Sequence, residues 1–86
     1  MDWRVIPTKR AAKDLENVPK KIGIIYRELV DDMEREGPFP FGWDSQPLKG
    51  SDEVRIKLTR EWRVLVQVMK PSIIVVRVVH RKEAYR

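Results

Sequence analysis

From Val54 to Val79 the chain either alternates or is almost unbroken in β-branched residues, a pattern that strands accept and helices do not. Val54-Arg55-Ile56-Lys57-Leu58 sends Val54, Ile56 and Leu58 to one face and Arg55 and Lys57 to the other. Thr59-Arg60-Glu61 reads as a turn into Trp62-Arg63-Val64-Leu65-Val66-Gln67-Val68-Met69. Lys70-Pro71-Ser72 turns the chain again, into Ile73-Ile74-Val75-Val76-Arg77-Val78-Val79. Runs so rich in Val and Ile are expected of strands covered on both faces or nearly so. Such short connections join antiparallel neighbours, so the stretch is predicted to be an antiparallel β-meander.

A meander of this kind needs a cover, and the preceding residues supply one. Trp3-Arg4-Val5-Ile6 is a short strand candidate stopped by Pro7, which has no amide to give to a ladder. Thr8 is placed to cap a helix over Lys9 to Asn17, with Ala11, Ala12, Leu15 and Val18 on its apolar side. Pro19 suits the first position of a second helix reaching Glu36, where its missing N–H costs nothing. Ile22, Ile25, Leu29 and Met33 form that helix's stripe, widened by Ile24, Tyr26 and Val30, and Gly37-Pro38 ends it. The fold class is therefore α+β: an antiparallel β-meander with an N-terminal strand, packed against an N-terminal α-helical hairpin. Phe39, Phe41 and Trp43 lie in the Pro- and Gly-punctuated connector and are expected to pin it to the core rather than stack on bases.

Size and composition narrow the function. The 86 residues suit one domain with one modest core, leaving little room for a deep small-molecule pocket and favouring a surface site. There is no cysteine and a single histidine, so thiolate or multi-imidazole metal sites are not expected, nor is any cofactor. No apolar run suggests a signal peptide, an anchor or a membrane span, and a cytoplasmic location is expected. Residues 1–43 balance eight Lys/Arg against eight Asp/Glu, while residues 44–86 hold ten against five and carry the whole net charge of +5. One-sided positive charge points to a polyanionic partner, although a merely solvated basic surface has the same composition.

The placement of the cations is more informative than their number. Arg55 and Lys57 leave one strand face about 7 Å apart, a spacing that suits neighbouring phosphates. Arg63 opens the next strand and Arg81 follows the last, so a meander can bring both towards that edge; alternation alone does not say which face Arg63 takes. Arg63 and Arg77 sit in strongly apolar strands, where a cation is costly unless it meets water or a partner.

The runs Pro47-Leu48-Lys49-Gly50, Arg55-Ile56-Lys57-Leu58, Trp62-Arg63-Val64-Leu65-Val66-Gln67-Val68 and His80-Arg81-Lys82-Glu83-Ala84-Tyr85 resemble, in order and spacing, the RelE/ParE toxin superfamily, in particular its RelE-like ribonuclease branch. The resemblance extends to the Trp3–Ile6 strand and the helices broken at Val18-Pro19. It implies a toxin that cleaves messenger RNA, typically in the 30S A site of the ribosome, and is held inactive by a cognate antitoxin. By the same resemblance Arg55 and Lys57 take the place of the family's catalytic strand cations. Arg63 takes that of its transition-state arginine, Arg81 of a second phosphate arginine and Tyr85 of its C-terminal tyrosine. Lys49, Arg60, Arg77 and Lys82 are expected as further RNA-binding cations. Trp62 and Val66 depart from tyrosines common in the Arg63 strand, and Arg55 stands where some members have lysine.

The implied chemistry needs no metal. A 2′-OH attacks the adjacent phosphorus with a base, charge stabilisation and an acid for the leaving 5′-oxygen. Lys57 is the candidate base, since crowding by like charges eases proton loss from an ammonium. Arg63 and Arg81 suit a bidentate grip on phosphate. His80 and Tyr85 are alternative proton-transfer groups. A ParE-like gyrase inhibitor and a non-catalytic nucleic-acid-binding module remain the alternatives.

Overall fold

The computed structural model describes residues 2–84. The chain runs β1 (Arg4–Pro7), α1 (Lys9–Glu16), α2 (Lys20–Glu36), β2 (Ser45–Pro47), β3 (Glu53–Lys57), β4 (Trp62–Met69), β5 (Ser72–His80) and α3 (Arg81–Ala84). Five strands form one sheet in the order β1-β5-β4-β3-β2. The β3–β4–β5 meander is antiparallel, as its short turns require, while β1 joins the β5 edge in parallel, with Val5 opposite Ile73. That parallel pairing is possible because α1 and α2 intervene and carry the chain back across the sheet.

Thr8 caps α1, its Oγ1 accepting the Ala11 amide at 3.0 Å, and the same hydroxyl donates to the Val76 carbonyl at 3.1 Å. The cap thus also fastens the helix to β5. Pro19 lies one position outside α2, as its N-cap, because its ψ of 148° is extended rather than helical. The core is built from Ala11, Ile22, Leu29 and Met33 of the helices against Val54, Ile56, Val64, Val66, Ile73, Val75 and Val78 of the sheet. Each large side chain so enclosed contributes about 1.5–3 kcal/mol.

Two expectations about helical faces fail. Ala12 is exposed and Ile24 is 55% exposed, so neither belongs to the stripe that meets the sheet. The connector divides as well. Trp43 is pinned by its Nε1, which donates to Asp32 at 2.7 Å, but Phe39 and Phe41 point outwards. The short strand β2 within this region went unforeseen, since three residues are too few to show alternation.

In β5 a bulge decides which residues face the helices. Leu65 pairs with Arg77 but Val66 pairs with Val75, so Val76 is the extra residue. The bulge reverses the alternation, allowing Val75 and Val78 both to be buried. Without it Arg77 would share the face of Ile73 and Val75 and enter the core. The unbroken apolar run of β5 therefore reflects a change of phase as well as partial cover on the second face.

Candidate phosphate-binding site

Strand pairing settles the position of Arg63. Lys57 and Arg63 are directly opposite across β3 and β4, and Arg55 is opposite Leu65 on one side and Gln46 of β2 on the other. Residues opposite each other share a face, so Arg55, Lys57 and Arg63 lie together on the face away from the core. They line a hollow of about 90 Å³ with Asp44 and Gln46.

Arg63 is only 4% exposed, unusual for a cation. Its Nη1 donates to the carbonyls of Thr59 (2.9 Å), Arg60 (3.1 Å) and Trp62 (3.2 Å), so the β3–β4 turn wraps one end of the guanidinium. Its Nε is buried with no hydrogen-bond partner among the described residues. Among the described residues no carboxylate forms a salt bridge with Arg63. The turn thus fixes one end of the guanidinium, while the carboxylate that shares the hollow, Asp44, is paired with Lys57 rather than with Arg63.

Lys57 is placed differently. Its Nζ lies 3.4 Å from the Asp44 carboxylate and its amide donates to the Asp44 carbonyl at 3.0 Å. The site is therefore cationic but contains a carboxylate, which offsets the like-charge crowding expected around Lys57. Asp44 and Gln46 were not anticipated, because their presence depends on β2 pairing with β3.

The remaining candidates disperse. Arg81 starts α3, exposed, and its amide donates to the Glu61 carbonyl at 2.7 Å. It is thus at the same end of the sheet as Arg63, two residues beyond Val79, the partner of Arg63. His80 pairs with Trp62 and so takes the face of Val64, opposite to Arg63 and Lys57. It meets the Trp62 ring edge-on, its Nε2 lies 3.5 Å from Glu61, and its Nδ1 accepts the Lys82 amide at 3.3 Å. Lys49 is in the turn before β3, at the end away from Lys57, while Arg60 and Lys82 are exposed beside the Arg63 end. Tyr85 lies outside the described residues.

Arg77 is committed within the protein. Its Nε and Nη2 donate to Asp14 at 2.8 and 3.2 Å, and Glu83 is 3.8 Å away. Burial pushes the Asp14 carboxyl up, but the Arg77 and Val78 hydrogen bonds with the charges of Arg77 and Arg10 outweigh it and hold the group below its ordinary value. The expectation that Arg77 reaches outwards as a surface cation thus meets an internal ion pair. A larger hollow, about 530 Å³, lies over the helices along Leu15, Val18, Gly23, Ile24 and Tyr26, where Lys20 and Arg27 are balanced by Glu28 and Asp31 and none of the cations of the sheet cluster takes part.

A small α+β domain with two N-terminal helices packed on a five-stranded sheet defines a class that solved structures share. One chain of the RelB–RelE antitoxin–toxin complex from Methanococcus jannaschii superposes with a TM-score of 0.81 at 26% identity, over 93% of this chain and 94% of that one. A chain of the archaeal RelE–RelB complex from Pyrococcus horikoshii gives 0.78 at 24%, over 94% and 97%. The YoeB dimer from Staphylococcus aureus gives 0.75 at 17%, over 90% and 94%. No protein-family model matches the sequence, and no curated protein matches it significantly. By fold, the chain belongs to the RelE/ParE-like toxin superfamily.

Proposed function

We propose that the protein is the toxin of a type II toxin–antitoxin pair and a metal-independent endoribonuclease that cleaves messenger RNA on the ribosome, in the 30S A site, thereby stopping translation in the cytoplasm. The observation that carries this reading is the Lys57–Arg63 cross-strand pair, with Arg55 beside it, around a hollow of about 90 Å³. The likeness to toxin–antitoxin complexes supports the toxin role and a cognate antitoxin as partner.

In the proposed reaction Lys57 is the base that takes the proton of the RNA 2′-OH. The 2′-oxygen bonds to phosphorus and the bond from phosphorus to the 5′-oxygen breaks, leaving a 2′,3′-cyclic phosphate and a 5′-hydroxyl. Arg63, held by the β3–β4 turn, stabilises the extra negative charge without having to reorganise. Arg55 and Arg81 grip the flanking phosphate oxygens. The leaving oxygen takes its proton from the C-terminal segment that carries Arg81 and Tyr85. Such a set is weak in acid–base terms, so positioning of the RNA by the ribosome supplies much of the rate.

Induced expression of the wild type, Arg63→Ala and Arg81→Ala tests the proposal, with translation and DNA replication followed separately. Translation stops first, with new 5′-hydroxyl ends on messenger RNA, only in the wild type. Equal toxicity of all three, or replication failing first, removes the ribonuclease reading.

A further inference from the structure

Residues 31–53 are unlike the rest of the chain. They hold seven Asp/Glu and two Lys/Arg, a net −5, whereas the remainder holds six Asp/Glu and sixteen Lys/Arg, a net +10. In the middle of that acidic stretch Phe41 is 90% exposed and Phe39 53% exposed.

The loop that presents these rings is firmly held. Gly37 packs against the Trp3 indole, Pro38 and Pro40 are buried, and the Phe41 amide donates to the Glu36 carboxylate at 2.8 Å. Prolines turned inwards thus alternate with phenylalanines turned outwards. Burying such a ring is worth about 1.5–3 kcal/mol, so folding leaves apolar surface unused on a preorganised loop. Beside Phe39 a hollow of about 230 Å³ is lined by Pro38, Pro47, Val54 and Val68, with Asp52 and Glu53 also bordering it. Apolar walls with carboxylates beside them fit an apolar side chain flanked by cations.

We propose that this corner docks a basic, apolar-containing segment of another protein. An apolar side chain fills the hollow against Phe39, Phe41 covers it, and Lys or Arg meets Asp52 and Glu53. The local charge opposes nucleic acid and any acidic segment. The corner lies at the Glu53 end of β3, whereas the cationic hollow lies at the Lys57 end, so one surface does not block the other. The inference does not depend on whether RNA is cut.

Photo-cross-linking tests it. The full chain, carrying p-benzoylphenylalanine in place of Phe41 and Arg81→Ala to limit toxicity, is irradiated in cells and the joined peptides are sequenced by mass spectrometry. The expected product is a segment of another protein in which Lys or Arg flanks an apolar residue. Its yield falls about tenfold or more when Asp52→Asn and Glu53→Gln are combined. Both carboxylates are exposed, and an unchanged melting temperature of the double variant confirms that the fold is intact. Cross-links only to nucleic acid, to acidic peptides or to a second copy of the chain overturn the proposal, as does a yield indifferent to the neutralised pair or no cross-link at all.

Discussion

Asp14 and Arg77, 63 positions apart in sequence, close a two-point ion pair at the sheet edge, and the same carboxylate accepts the Val78 amide at 3.0 Å. One aspartate thereby fastens α1 to β5 just beyond the end of β1. Because its pKa is lowered on folding from the ordinary 3.8, its contribution is fully present above that value and is lost as pH falls through 3.8 towards the folded value. Asp14→Ala should cost about 1–3 kcal/mol at neutral pH, towards the lower end because the pair is partly exposed. Urea midpoints for the wild type and the variant should converge as the pH drops below about 4.

Arg63 and Arg81 should separate stability from activity. Arg63→Ala removes the group around which the β3–β4 turn closes, and lowers both the melting temperature and RNA cleavage. Arg81 is exposed, so Arg81→Ala should leave the melting temperature within about 2 °C while abolishing toxicity. Arg63→Lys retains the charge but loses the planar guanidinium, whose Nη1 alone meets the three turn carbonyls, and with it a bidentate grip on phosphate, so cleavage by it should stay far below the wild-type rate.

Asp44 pairs with Lys57 and would compete for it with a bound phosphate. The pair is about half exposed on both sides and therefore weak. Asp44→Asn should tighten binding of a short RNA by no more than about fivefold, and steepen its salt dependence, measured by fluorescence anisotropy. Weaker binding would mean that the carboxylate holds Lys57 in its useful position.

Gly37 has a φ of 92° and lies so near the Trp3 indole that a Cβ would meet it at 3.0 Å. Gly37→Ala should destabilise by more than about 1 kcal/mol, a fall of about 4–8 °C per kcal/mol in a domain of this size. Gly23→Ala is the contrast, since beyond its own helix backbone and chain neighbours no atom of the described residues lies within 4 Å of an added Cβ there, and helix propensity favours alanine.

Much of the fold was legible locally. The alternation of Val54 to Leu58, the Thr8 cap and the stop at Gly37-Pro38 reflect preferences that act within a few residues, and the structure follows them. Relations between distant segments were not legible. The strand β2 gains its hydrogen bonds from β3, so its own three residues carry no signal. The bulge at Val76 reverses which residues of β5 face the core, so that Val75 and Val78 both join the buried cluster, a relation between distant segments.

The cationic site divides in the same way. Arg55 and Lys57 on one strand face follow from period-two geometry and needed only the sequence. That Arg63 joins them, that Asp44 stands against Lys57, that His80 takes the other face and that Arg77 turns to Asp14 were decided by strand register. Register is a property of two chains of hydrogen bonds and the core beneath them. The sequence by itself therefore determined which elements form and which cations they carry, because those choices are local. Only the tertiary structure decided which of these cations meet, because a shift of one residue in pairing moves every side chain to the opposite face.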